Sequence, residues 1–83
     1  MNLTRETELL GRITSNPAIL GGKPVIRGLR FSVQQLVTAV AAGVPETDLL
    51  ADFPFLEPDD IRAALLYAAK RVAEEEVWPV LVA

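Results

Sequence analysis

Three cations stand in an acid-free stretch near the front of the chain: Lys23, Arg27 and Arg30, within NPAILGGKPVIRGLRFSVQQ (residues 16–35). Ammonium and guanidinium groups at such spacing bind anions, and the arginine fork matches phosphate in a bidentate way. Gln34 and Gln35 follow directly. Their amides both donate and accept, which suits the edges of bases. The chemistry these five residues could perform is recognition of a polyanion, and they are the candidate DNA contacts. The plain alternative is that Gly21, Gly22, Pro24 and Gly28 simply shape turns and the cations form a solvated surface.

Catalysis has little to work with. The chain contains no cysteine and no histidine. That removes thiol chemistry, disulfides, zinc fingers, the commonest general base and the commonest transition-metal ligand. Ser15 and Ser32 have no such companion to activate them, and Lys23 has no evident apolar pocket to lower its pKa. Asp59 and Asp60 are neighbours on an expected helix and do not converge on one ion. The string GGKP lacks the glycine spacing of a phosphate loop and the hydroxyl residue that follows its lysine. The expectation is a chain that is not an enzyme and uses no metal or cofactor.

The charges are unevenly spread. Residues 9–45 carry a net +4 without one acid, residues 1–8 carry −1, and residues 46–83 carry −6, against −3 for the whole chain. A basic front on an acidic protein points to an anionic partner at that end. At 83 residues a single domain, 1–83, is expected. Folding at this size hides only about 60–65% of the unfolded surface. An apolar content of 51% then favours a second copy that completes the core. The start MNLTRETELLGR has no apolar signal core, and no apolar run approaches the roughly 18 residues of a membrane span. A soluble cytoplasmic protein is expected.

The elements that must position the cations change character at Ser32. Residues 1–31 read as a β and turn-rich element. Arg12–Ser15 is a brief strand, and Gly28 marks a bend or tight hairpin between Val25–Arg27 and Leu29–Phe31. Residues 32–73 read as helical. Ser32 caps the first helix, and Gln35 three residues on completes a capping box. Val33, Leu36, Val37, Val40 and Ala41 form its single apolar face, and Gly43 stops it. A second helix spans 45–52, with Leu49, Leu50 and Phe53 inward. A third starts at Pro58, with Ile61, Ala64, Leu65, Ala68, Ala69 and Val72 as its stripe. Leu66 and Tyr67 widen that stripe, so they are the candidate dimer interface. Three helices with breaks of about three residues outline a helix-turn-helix.

The remaining residues, 74–83, form an apolar tail behind three acids. Val77, Trp78, Val80 and Leu81 are candidates for holding a protein partner, with tryptophan as the anchor. The alternative is that the tail folds back on its own core or on the dimer seam.

The block ITSNPAILGGKPVIRGLRFSV, followed by LVTAVAAGVPETDLLADFPFLEPDDIRAALLYAA, resembles the bacterial domain-of-unknown-function family numbered 433. The shared features are I-x-x-x-P-x-I-x-G-G-K-P-V-I-x-G-x-R, the A-x-G with a short helix after it, and D-[FY]-P-x-L-x-x-x-D-[IV]. Leu29 departs from a usual threonine, and Glu57 from threonine or serine. The resemblance implies an atypical helix-turn-helix domain with an N-terminal β element. It also implies an antitoxin of a VapBC-type toxin–antitoxin system, which binds a PIN-like ribonuclease toxin and commonly operator DNA.

The expectation is therefore a mostly α protein with a small N-terminal β element, a three-helix helix-turn-helix-like bundle that forms a homodimer. Its expected role is to neutralise a PIN-like ribonuclease, with possible operator binding for autoregulation. The residues argue against a conventional recognition helix, because PETDLLAD and EPDD would both carry acids toward phosphate. DNA contact would fall to the β segment and the start of the first helix. The alternative function is a homodimeric scaffold without a nucleic-acid role.

Overall fold

The computed structural model describes residues 3–74. Val77, Trp78, Val80 and Leu81, the candidate partner anchors, lie outside the described residues. The chain is mostly helical with one small antiparallel sheet. In order come α1 (Leu3–Leu10), β1 (Ile13–Thr14), a 3-10 turn (Leu20–Gly22), β2 (Val25–Ile26), α2 (Val33–Ala41), α3 (Glu46–Asp52) and α4 (Pro58–Glu74).

Helix α1 was not anticipated. It replaces turn with helix at the start of the segment read as β and turns. Only Leu9 of its eight residues is buried, so its apolar pattern is too short to register as a period. Arg5 pairs with Glu8 one turn on, and α1 packs along α4.

The brief strand expected at Arg12–Ser15 pairs across the chain rather than locally. Ile13 faces Ile26 and Thr14 faces Val25. The bend expected at Gly28 is a tight turn between Val25–Arg27 and Leu29–Phe31, closed by the Leu29 amide donating to the Ile26 carbonyl at 2.8 Å and the Ile26 amide donating to the Phe31 carbonyl at 3.0 Å. The pairing beyond it is one bridge, Val25 with Ser32, rather than a regular ladder. Arg27 and Gly28, the central residues of the turn, both take positive φ, 43° and 71°. That is the twist a turn of the I′ class requires, and glycine suits the second position.

The helices obey their local signals. The Ser32 hydroxyl accepts from the Gln35 amide at 3.0 Å, and the Gln35 side chain accepts from the Ser32 amide at 3.1 Å. This reciprocal cap satisfies two otherwise orphaned donors. Helix α2 ends in a Schellman arrangement, with Gly43 N–H on Val40 and Val44 N–H on Ala39. Pro58 opens α4.

The core gathers Ile26, Phe31, Val33, Leu36, Leu49, Leu56, Ile61 and Ala64. Phe31 meets Phe53 in a tilted contact with ring centroids 4.8 Å apart and meets Phe55 edge-on at 5.6 Å. On α4 the expected stripe holds only in part. Ile61 and Ala64 are buried, but Leu65 is 41% and Val72 59% exposed. The buried arc instead runs through Asp60, Ile61, Ala63 and Ala64. A carboxylate occupies a place that a pattern of apolar residues cannot reveal.

Candidate functional site

The front-half cations divide into two groups. The first points inward, onto the start of α4. Backbone pairing continues one residue past the sheet, with the Arg27 amide donating to the Arg12 carbonyl at 2.7 Å. The two arginines are therefore cross-strand neighbours, an arrangement that repels unless an anion lies between them.

Asp60 is that anion. Its side chain is fully buried. Arg27 Nε donates to Oδ1 at 3.0 Å and Arg27 Nη2 to Oδ2 at 2.9 Å, while Arg12 Nη1 donates to Oδ1 at 3.0 Å. The Glu57 backbone N–H adds a further bond, to Oδ2 at 2.8 Å. Asp60 thus also caps α4 from its third position, which offsets the weak cap residue Glu57. Burial alone would raise its pKa. The bonds from Arg27, the Glu57 amide and Arg12 outweigh that and hold the carboxyl below its ordinary value.

Next to it, Arg5 grips Asp59 with both terminal nitrogens, at 2.6 and 3.1 Å. This hydrogen-bonded pairing lowers the Asp59 pKa. Arg12 also reaches Glu57 at 2.6 Å, and Arg27 Nη2 donates to the Phe55 carbonyl at 2.6 Å. Three arginines from α1, β1's edge and the β2 turn so converge on two adjacent aspartates. Arg27, expected to face phosphate, is turned to Asp60 and Phe55 instead. Asp59 and Asp60, expected only as helix-start acids, are the junction of the fold.

The second group stays outside. Lys23 and Arg30 are exposed and have no ion pair among the described residues. Lys23, Gln34 and Gln35 come together with Thr38 around a cavity of about 710 Å³, floored by Leu20, Phe31 and Phe53. Gln34 is free to turn outward, whereas the Gln35 carbonyl oxygen is held in the α2 cap. Arg30 lies apart from that lining, on the turn after Gly28. The first turn of α2 contains no acid, so the partial positive charge of the helix start adds to Lys23.

Leu66 and Tyr67 have neighbours within the chain. Tyr67 packs on the core cluster, and Leu66 lines a cleft with Arg5 and Leu9 of α1. The second apolar side of α4, for which a partner subunit was expected, meets α1 there. Among the described residues no group of acids could hold a metal ion, and no helix is long and apolar enough to cross a membrane.

Residues 13–68 match the family described as "Protein of unknown function (DUF433)". The chain belongs to the DUF433 family. It is 45% identical over 56 residues to the uncharacterized protein y4eO of Sinorhizobium fredii, a match covering 68% of this chain. The chain spans about a quarter of that relative's length, 25%. The crystal structure of a DUF433 member from Anabaena variabilis superposes with a TM-score of 0.70 at 32% identity, covering 87% of this chain and 71% of that one. The DUF433 match begins at Ile13 and takes in Arg27 and Asp60, while Arg5 and Arg12 lie before it.

Proposed function

We propose that this DUF433 chain is a binding module of antitoxin type. In this reading it holds a PIN-like ribonuclease by protein contact, touches operator DNA through the start of α2, and catalyses nothing itself. The single observation that carries the DNA half is the sorting of the cations. Asp59, Asp60 and Glu57 engage Arg5, Arg12 and Arg27 in ion pairs. Among the described residues Lys23 has no ion pair and lies beside Gln34 and the acid-free start of α2, with Arg30 exposed on the neighbouring turn.

Helices α2, α3 and α4 follow one another in helix-turn-helix order, but α3 opens with Glu46 and Asp48 and α4 with Asp59 and Asp60. The exposed acids at the start of α3 would repel phosphate, and the start of α4 is taken up by the arginine–aspartate cluster, so contact by β2 and α2 is favoured over a standard recognition helix. The toxin half rests on the resemblance to antitoxin-like proteins, and the cytoplasmic location on the expectation from the sequence. A homodimer would present two such faces and double their charge. Its seam is better sought at Leu65 and Ala69, the exposed apolar ridge of α4, than at Leu66 and Tyr67.

The test has two arms. The tagged native chain, expressed from its own operon, should co-purify with a small ribonuclease. A labelled duplex from the upstream region should bind with an affinity that falls steeply as salt rises. Self-association with neither ribonuclease nor DNA would leave the scaffold reading in its place.

A further inference from the structure

The cavity beside Lys23 is built from segments that meet only in the fold. The Leu20–Gly22 turn brings Leu20 and Lys23, α2 brings Gln34 and Thr38, and the end of α3 brings Phe53. No residue of α4 lines it. Each segment is pinned. The turn runs through three consecutive residues at positive φ, Leu20 at 48°, Gly21 at 66° and Gly22 at 85°. A leucine there carries strain that its surroundings must hold. The Ser15 hydroxyl does part of this by donating to the Gly22 carbonyl at 2.6 Å. The Ser32–Gln35 cap fixes the start of α2. Arg27 fixes the loop after Phe53 by donating to the Phe55 carbonyl at 2.6 Å. The hollow is thus preformed, which lowers the cost of binding.

Its chemistry is layered. The floor is apolar, with the part-exposed Phe53 ring tilted against Phe31. The rim holds one cation, Lys23, together with the Gln34 amide and the Thr38 hydroxyl, and no acid among the described residues. An aromatic floor below an amide, beside a cation, matches an unstacked base and its phosphate. The base lies on the ring, its edge meets Gln34, and the phosphate meets Lys23. The volume, about 710 Å³, falls within the roughly 300–1,000 Å³ of ligand sites. We infer that this cavity takes one unstacked base of single-stranded DNA, with Lys23 on the adjoining phosphate.

A duplex has the wrong shape for it. Duplex bases are stacked, and their edges are read by a helix or ribbon that projects into a groove. A hollow does not project, and a stacked base cannot enter one. Both kinds of DNA share the phosphate attraction to Lys23, so the choice between them falls to Phe53 and the space above it. Such a site rests on the polyanion face proposed at the start of α2, and narrows its ligand from a duplex to a single strand.

The test uses the full chain and two probes, a labelled oligodeoxythymidylate and the same strand annealed to oligodeoxyadenylate. Fluorescence anisotropy should show the single strand binding several-fold more tightly than the duplex. Thr38 and Ala42 are exposed residues of the lining. Replacing both with leucine, Thr38→Leu with Ala42→Leu, fills the hollow without changing charge or helix propensity for the worse. Strand affinity should then fall about tenfold, within the range for losing one base–aromatic stack, while duplex affinity and its salt slope stay as in the parent. Phe53→Leu keeps the floor apolar and removes the ring. It should weaken the strand by a similar factor, with helical circular dichroism intact. Duplex binding equal to or tighter than strand binding would overturn the inference and leave the polyanion face standing. Strand binding that the leucine pair does not weaken would also overturn it, by placing the base elsewhere. Salt-sensitive binding of neither probe would remove the polyanion face itself, and this site with it.

Discussion

Arg27 clasps the buried carboxylate of Asp60 with two nitrogens, Nε at 3.0 Å and Nη2 at 2.9 Å, from a backbone held at a φ of 43°. A non-glycine residue there carries strain that its surroundings must over-determine. The clasp supplies that, and it ties the β2 turn to α4. Asp60→Ala should therefore do more than delete one side chain. It would leave Arg12 and Arg27 facing each other across the sheet end and strip the Glu57 amide of its acceptor. The expected loss is about 3–5 kcal/mol, the range for breaking a buried pair. Arg27→Ala should cost less, about 1.5–3 kcal/mol, because Arg12 and the Glu57 amide still hold the carboxylate. Urea unfolding of both variants checks the ranking.

The same junction sets a pH dependence. The Asp60 and Asp59 carboxyls both sit below their ordinary 3.8 in the folded state. An unfolded chain takes up protons at these sites before the folded one does. Their contribution is thus complete above about pH 5 and drains away as pH falls through the ordinary carboxylate range and below. Melting temperatures should be flat from neutrality to about pH 5 and then drop. Asp60→Asn should melt lower at neutral pH and show a shallower acid drop.

How much of this was legible depended on whether the partners were neighbours in sequence. The Ser32–Gln35 cap, the Gly43 stop and Pro58 at the start of α4 are local devices, and each could be read directly. Arg12, Arg27 and Asp60 meet only because the Ile13–Ile26 register aligns the arginines and α4 then packs across them. Neither step has a sequence signature. Asp59 and Asp60 looked like ordinary helix-start acids because that role is local and sufficient. The antiparallel sheet of β1 and β2 hid for the same reason, since each strand has two residues and finds its partner more than ten residues away. One cue was available: a lone Arg27 between Ile26 and Gly28, at a turn position usually left to asparagine or glycine, invites a search for the carboxylate that holds it.

Gln34 and Gln35 should separate by function despite being adjacent. Gln35 closes the cap of α2 with buried Ser32. Ser32→Ala and Gln35→Ala should each lower stability, the serine by about 1 kcal/mol. Gln34 is exposed and has no such bond, so Gln34→Ala should stay within about 0.5 kcal/mol of the parent. If Gln34 touches a base, that variant alone should change sequence preference while leaving unfolding untouched. Competition between duplexes, run beside urea unfolding, measures both.

Self-association should map to the outer ridge of α4. Leu65 is 41% exposed, whereas Leu66 and Tyr67 already have intrachain neighbours. Leu65→Glu is expected to abolish dimerisation at micromolar concentration, with a change in unfolding free energy of no more than about 0.5 kcal/mol beyond the loss of assembly. Leu66→Glu should instead destabilise the fold, because it drives a charge into the cleft beside Leu9. Sedimentation of both variants, each checked by circular dichroism, distinguishes a seam from a core. A Leu65→Glu chain that still sediments as a dimer would place the interface elsewhere.

DNA contact makes its sharpest prediction through the difference between Arg27 and its neighbours. Lys23 and Arg30 are solvent-facing, so Lys23→Ala and Arg30→Ala should leave the fold intact. If each neutralises one phosphate per protomer, each replacement should flatten the slope of log K against log salt by about 0.9, or twice that in a dimer. Arg27→Ala should behave differently: affinity would fall with stability, because the β2 turn loses its hold on α4, while the salt slope of the folded fraction stays that of the parent. Fluorescence anisotropy across about 50–200 mM salt resolves slopes of this size. A parent-like slope in both surface variants would remove Lys23 and Arg30 from any phosphate contact. An Arg27→Ala slope reduced to match theirs would mean that the guanidinium leaves Asp60 when a duplex arrives.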